Sequence, residues 1–129
     1  MNEFQMLIEK SEEYLQAAKL LLDNAYYDSA VSRNYYAMFY ATQAILETKE
    51  ISVKTHTGLI GKFSELFIKT GVFDKQYSQY LAEAFESRSV GDYDIFTHIS
   101  KEYAEELYEK GLMYVATMKS YLIENQFIN

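Results

Sequence analysis

Apolar residues recur three and four positions apart along almost all of this chain. No stretch alternates strictly between apolar and polar, so helix is the only regular element the pattern supports. Nothing in the chain interrupts that pattern by force, because the 129 residues include no proline. One domain of that length can bury a real core but not two independent ones. The expectation is an all-α, up-and-down bundle of about five helices filling a single domain, residues 1–129.

The first helix is expected over about Asn2 to Asn24, with Phe4, Leu7, Ile8, Leu15, Ala18, Leu21 and Leu22 on one face. Asn24-Ala25-Tyr26-Tyr27-Asp28 reads as a short connection, which makes the next helix an antiparallel neighbour with Asp28 as its N-cap. That second helix, about Ser29 to Lys49, separates into three stripes. Val31, Tyr35, Met38, Phe39, Ile45 and Leu46 form a large apolar side. Ala30, Ala37, Ala41 and Ala44 form a small one that permits close approach of another helix. Ser29, Arg33, Tyr36, Tyr40, Gln43 and Glu47 form an amphipathic third. A helix with something to pack on nearly every side is the central one, and its polar-aromatic stripe is expected to face a groove or a partner chain.

Thr55 is the expected cap of a third helix over about His56 to Thr70, which Gly71 would stop. A fourth helix is expected over about Asp74 to Ser89, after which VGDYDIFTHI reads as a turn around Gly91. Ser100 or Thr97 would cap a last helix ending near Asn125, whose first turns hold Glu102, Glu105, Glu106 and Glu109, as suits the positive end of a helix dipole.

Composition narrows the chemistry. There is no cysteine, so disulfides, thiol catalysis and thiolate metal sites are excluded. Three residues before His56 is Val53 and three before His98 is Ile95, so neither histidine belongs to the Glu-x-x-His pairs of a di-iron bundle; no metal and no cofactor are expected. The five glycines are scattered and form no phosphate-cradling loop, and no Gly-x-Ser-x-Gly elbow is present. MNEFQMLIEK lacks the basic and then apolar order of a signal peptide, and no apolar run could span a bilayer, so a cytoplasmic protein with no membrane attachment is expected. The formal net charge of −7 opposes wholesale attraction to nucleic acid. Only residues 49–75 are positive, with five lysines against three acids, as an ordinary solvated surface can be.

Arg88 stands out. Tyr77, Leu81, Ala84 and Arg88 share one side of the fourth helix, so the guanidinium continues an apolar stripe and must find an acceptor. Asp92, just past the expected helix end, is the nearest, with Tyr93 beside it. Two readings stand: an arginine that locks the helix to the turn, or one presented to phosphate or RNA. Arg33 either lays its stem along Tyr36 and Tyr40 with its head in solvent, or meets a symmetry mate's tyrosines or a ligand. His56, beside Lys54 and Thr55 at a helix start, is either a cap or surface group or a proton-transfer residue.

Taken together, SRNYYAMFYA in the second helix, KTHTGLI at the start of the third, FIKTG at its end and AFESRSVGDYD after the fourth resemble the HEPN domain, in its small stand-alone prokaryotic branch. The resemblance covers essentially the whole chain. It implies a compact helical bundle, usually a homodimer, often paired with a minimal nucleotidyltransferase in a toxin–antitoxin-like system. Many members of that family are metal-independent ribonucleases whose motif is an arginine followed, four to six residues later, by a histidine. Here Arg88 matches the motif arginine, but Tyr93 stands five positions on and the next histidine, His98, ten positions on. Tyrosine, with an ordinary pKa of about 10, is a poor base near neutrality. The resemblance therefore implies RNA or nucleotide engagement around Arg88 and Asp92, with Arg33, His56 and Lys54 as further candidate binding residues. Arg88 and Tyr93 remain as the candidates for catalysis, and Tyr93 also as a residue a nucleotidyltransferase would modify. Tyr36, Tyr40 and Arg33 are candidates for a subunit seam. The competing expectation is a non-catalytic module that binds a partner protein through its aromatic stripe.

Overall fold

The computed structural model of the chain describes residues 2–129, with Tyr93 described only as a position in a helix. Among the described residues there are five α-helices and no strand: α1 (Glu3–Asp23), α2 (Tyr27–Glu47), α3 (His56–Phe63), α4 (Lys75–Tyr93) and α5 (Lys101–Glu124). A π-helical turn, Ser64–Ile68, continues α3.

The caps follow local chemistry. Asn2, Thr55, Asp74 and Ser100 each turn a side-chain oxygen back to a backbone N–H of the first turn of α1, α3, α4 and α5. Asn2 also donates to the carbonyl of Phe127 at 2.8 Å, joining the two ends of the chain.

α2 is the central helix and packs against α1, α3, α4 and α5. Its large apolar stripe and its alanine stripe are both buried, as their spacing predicts. Tyr35, Met38, Ile45 and Leu46 meet Ile8 of α1, Leu59 and Phe63 of α3, and Tyr114, Met118 and Leu122 of α5 in one core. Each fully buried large side chain contributes about 1.5–3 kcal/mol over an exposed one. Ion pairs such as Lys19–Asp23 and Lys62–Glu65, about half exposed on both sides and screened by water, contribute little. The apolar stripes hold the bundle together.

Among the described residues, Ser11, Asn34, Thr42, Ser87 and Arg88 are the buried polar or charged ones. Ser11 donates to the carbonyl of Ala37 at 2.6 Å, and Asn34 to that of Leu107 at 2.9 Å. The hydroxyls of Thr42 and Tyr114 lie 2.5 Å apart. Asn34 also explains Gly111, where a Cβ would fall 2.0 Å from the Asn34 Oδ1.

Three boundaries differ from expectation. α2 starts at Tyr27 without a side-chain cap, because the Asp28 carboxylate serves a distant partner: its Oδ1 accepts from the Ile99 N–H at 3.1 Å. The third helix is not one α-helical run to Thr70; its second half is the π-helical turn, in which Phe67 is fully buried against Phe63 and Phe73. The largest correction concerns α4, which does not turn at Gly91 but continues to Tyr93. Gly91 serves close approach: a Cβ there would lie 3.0 Å from the Asp28 backbone oxygen, so the glycine lets the end of α4 rest on the first turn of α2.

Candidate functional site

α2, α3 and α4 converge on two consecutive residues of α2, Tyr35 and Tyr36. Neighbours on a helix point about 100° apart, so the pair reaches two directions at once. Tyr35 is wholly buried and Tyr36 half-buried.

From α4, Arg88 extends the stripe of Leu81 and Ala84 as the spacing predicts, and is only 8% exposed. Its Nη2 donates to the Tyr36 hydroxyl at 2.6 Å. Its Nε lies 3.1 Å from Asp92 Oδ2, in an ion pair rather than an aligned hydrogen bond. Because α4 continues past Gly91, this pair is an i,i+4 contact within one helix and not a bridge to a bend. Ser32 of α2 donates to the same carboxylate oxygen at 3.3 Å. The guanidinium carbon is 5.4 Å from the centre of the Tyr36 ring and 6.0 Å from that of Tyr35.

From α3 comes His56, the first residue of the helix, set by the Thr55 cap. Its Nδ1 lies 2.7 Å from the Tyr35 hydroxyl. Its ring stacks on Phe85 at 5.4 Å and lies 5.0 Å from Phe39. It is 5.5 Å from the Tyr35 ring and 6.0 Å from the Tyr36 ring, the same two rings that carry Arg88. Burial first, and the Arg88 charge second, hold the His56 pKa below the ordinary imidazole value. Burial pushes the Tyr35 hydroxyl far above the usual tyrosine range, so it keeps its proton. A neutral imidazole thus stands across two tyrosines from a permanent cation.

Of the residues singled out from the sequence, the fold brings together Arg88, Asp92, His56 and Tyr36. It does not bring Arg33, which is exposed on the other flank with its guanidinium carbon 5.2 Å from the Tyr14 ring of α1. Tyr40 goes the same way, edge-on to Tyr14 at 5.3 Å and under the ammonium of Lys10 at 4.7 Å. The polar-aromatic stripe therefore splits, with Tyr36 turned to α4 and Arg33 and Tyr40 to α1. Lys54 is exposed. Tyr93 occupies the last turn of α4, and its side chain lies outside the described residues. His98 is 79% exposed and faces Asp28 at 3.5 Å.

What the sequence reading missed is Tyr35. Its spacing marks it as core, yet a fully buried hydroxyl needs a partner, and that requirement was the available signal. Among the described residues, no three His, Cys, Asp or Glu side chains cluster as metal ligands, and no helix is long and apolar enough to cross a membrane.

The sequence matches the model of the HEPN domain over residues 4–120. It is 43% identical to a Methanocaldococcus jannaschii protein named "Putative toxin MJ0142", an alignment covering 98% of this chain and 86% of the other. A second protein of that organism, "Putative toxin MJ0605", is 36% identical over 95% of this chain and 91% of its own. A Thermotoga maritima protein named "UPF0332 protein" is 37% identical over 86% and 87%.

Proposed function

The chain belongs to the HEPN family, and on that premise we propose that it is the HEPN component of a toxin–antitoxin-like pair and binds RNA or nucleotide phosphate at Arg88. The partner is a minimal nucleotidyltransferase, and the protein acts as a homodimer. The toxin names of two relatives that align along nearly the whole chain support the first part, since a toxin requires a neutralising partner.

One observation carries the phosphate reading. Arg88 is a nearly buried guanidinium positioned by a neutral hydroxyl and by one carboxylate that is still 29% exposed. Tyr36 orients the fork without neutralising it. Asp92 is an anion at the solvent edge that an incoming phosphate replaces, and guanidinium geometry suits that exchange. Such a site binds locally, against the field of a protein with a net charge of −7.

The test is titration of the protein into a fluorescently labelled single-stranded RNA, followed by anisotropy. Arg88→Ala is expected to weaken binding at least about tenfold, the scale of one lost charge-assisted contact. Arg33→Ala, on the opposite flank, should change it little. Equal losses in both variants would point to diffuse electrostatics and remove the site. Co-purification with a nucleotidyltransferase, tested by co-expression, checks the partner.

A second reading keeps a protein-binding role for the same end of α4. Ile95 and Phe96 are 78% and 89% exposed. They are presented by a turn in which Asp94 Oδ1 accepts from the N–H groups of Phe96 and Thr97 at 2.8 and 3.1 Å. Two adjacent apolar side chains held in solvent suit a protein surface.

A further inference from the structure

We propose that the flank formed by α1 and α2 docks an acidic segment of a partner protein, held by Lys10 and Arg33 from their seats on the ring pair Tyr14–Tyr40. The arrangement is reciprocal. Arg33 of α2 lies over the Tyr14 ring of α1 at 5.2 Å, and Lys10 of α1 lies over the Tyr40 ring of α2 at 4.7 Å. The two rings meet edge-on at 5.3 Å, so rings and cations form one row across the helix pair.

Charge complementarity names the occupant. Outside residues 49–75 the chain has sixteen acidic and only seven basic side chains, so a cation there has carboxylates in plenty. Five of the seven take one: Lys19, Arg88, Lys101, Lys110 and Lys119 each pair with a carboxylate at 3.9 Å or less. Among the described residues, Lys10 and Arg33 are the two that do not, and both belong to this row. Both are exposed. Burial raises the Tyr40 pKa, with the Lys10 charge opposing it, so the Tyr40 hydroxyl keeps its proton and adds no negative charge. The row presents two positive charges that no carboxylate of the described residues answers. A cation seated on a ring has also given up part of its freedom before a partner arrives, which lowers the entropy lost on pairing.

The same seating selects a peptide over a nucleic acid. Proteins that hold single strands offer open ring faces on which bases stack. Here Arg33 and Lys10 lie over the faces of Tyr14 and Tyr40, where a base would have to sit. A carboxylate needs only the cation. The net charge of −7 repels a long polyanion as a whole, so the row suits a short acidic stretch.

The experiment titrates the full chain into a fluorescently labelled oligoglutamate peptide at low ionic strength and follows anisotropy. Lys10→Gln and Arg33→Gln should each weaken binding about threefold and the double variant about tenfold, the range of one and two exposed ion pairs. Lys69→Gln combined with Lys75→Gln removes the same charge from two exposed lysines elsewhere in the chain, and should change binding by less than about 1.5-fold. Tyr14→Phe keeps the ring and should behave as the parent. Tyr14→Leu keeps both charges but loses a seat, and should weaken binding about twofold. No binding by the parent overturns the proposal, and reduces the row to a tie between α1 and α2. An equal loss in the Lys69 and Lys75 control also overturns it, because the attraction is then diffuse. A labelled single-stranded RNA whose binding falls as far as that of the peptide in the Lys10 and Arg33 double variant assigns the row to phosphate instead. A parent that sediments as a dimer, with the same double variant a monomer, assigns it to a second copy of the chain and overturns the proposal as well.

Discussion

The hydroxyl of Tyr36 lies 2.6 Å from Nη2 of Arg88, across 52 residues of sequence, and this single bond ties the central helix to the one buried guanidinium among the described residues. Tyr36 is half-buried, whereas Asp92, the ion-pair partner of Arg88 in the same helix, keeps 29% of its side chain in water. A hydrogen bond to a charged group contributes about 1.5–3 kcal/mol, and a partly exposed i,i+4 ion pair about 0.5 kcal/mol. Tyr36→Phe is therefore expected to destabilise the fold by about 2 kcal/mol and Asp92→Asn by less than about 1 kcal/mol. Urea unfolding of the two variants beside the parent checks the order; a larger loss for Asp92→Asn would mean that the carboxylate, not the phenol, holds the arginine.

His56 makes stability depend on pH in a defined direction. Its folded pKa lies below the ordinary imidazole value of 6.5, so between the two values the unfolded chain binds more protons than the folded one. Stability then rises with pH through that window and falls on acidification below 6.5. Parent protein should lose more stability between pH 7.5 and pH 5 than His56→Gln does. Glu83 and Asp94, whose pKa values are lowered, act only at more acidic pH and are common to both proteins. Equal losses in the two would show that the imidazole is not held neutral by the fold.

Gly111 and Asn34 should couple. An alanine Cβ at position 111 would fall 2.0 Å from Asn34 Oδ1, and Asn34 is only 2% exposed, so it cannot swing away. Overpacking of this kind costs about 1–3 kcal/mol, more than the roughly 1 kcal/mol that alanine gains over glycine in a helix. Gly111→Ala should destabilise, and Asn34→Ala in the same chain should recover part of the loss. Calorimetric Tm values of the two single variants and the double variant provide the comparison, and strict additivity would contradict the clash.

The buried Thr42–Tyr114 pair predicts an asymmetry. Thr42 donates to the carbonyl of Met38 at 2.7 Å, so the hydroxyl of Tyr114 is the donor to Thr42. Tyr114→Phe leaves Thr42 still bonded to Met38 and strands no further buried group, and should cost about 1 kcal/mol. Thr42→Val strands the Tyr114 hydroxyl in the core and should cost about 1–3 kcal/mol. Chemical denaturation distinguishes them, and the reverse order would reassign the donor.

Much of this molecule was legible as a string of residues. The stripes of α2, the inward faces of α1 and α4, the Thr55 cap and the position of Arg88 on an apolar stripe all follow from spacing, because side-chain direction in a helix depends on nothing beyond the helix itself. Where expectation failed, a distant partner had overruled a local signal. Gly91 looks like a turn, yet it lies inside α4, where its missing side chain makes room for the Asp28 backbone. Asp28 looks like a cap, yet its carboxylate holds Ile99 across 71 residues.

By itself, then, the order of residues determined that this chain is a helical bundle of the HEPN family, which side of each helix is apolar, and that Arg88 needs an acceptor. Only the tertiary structure decided who answers it. Tyr36, and His56 through Tyr35, reach the same spot because α2, α3 and α4 cross there, and the separation between residues on different helices depends on how those helices pack, which no periodicity along one helix encodes.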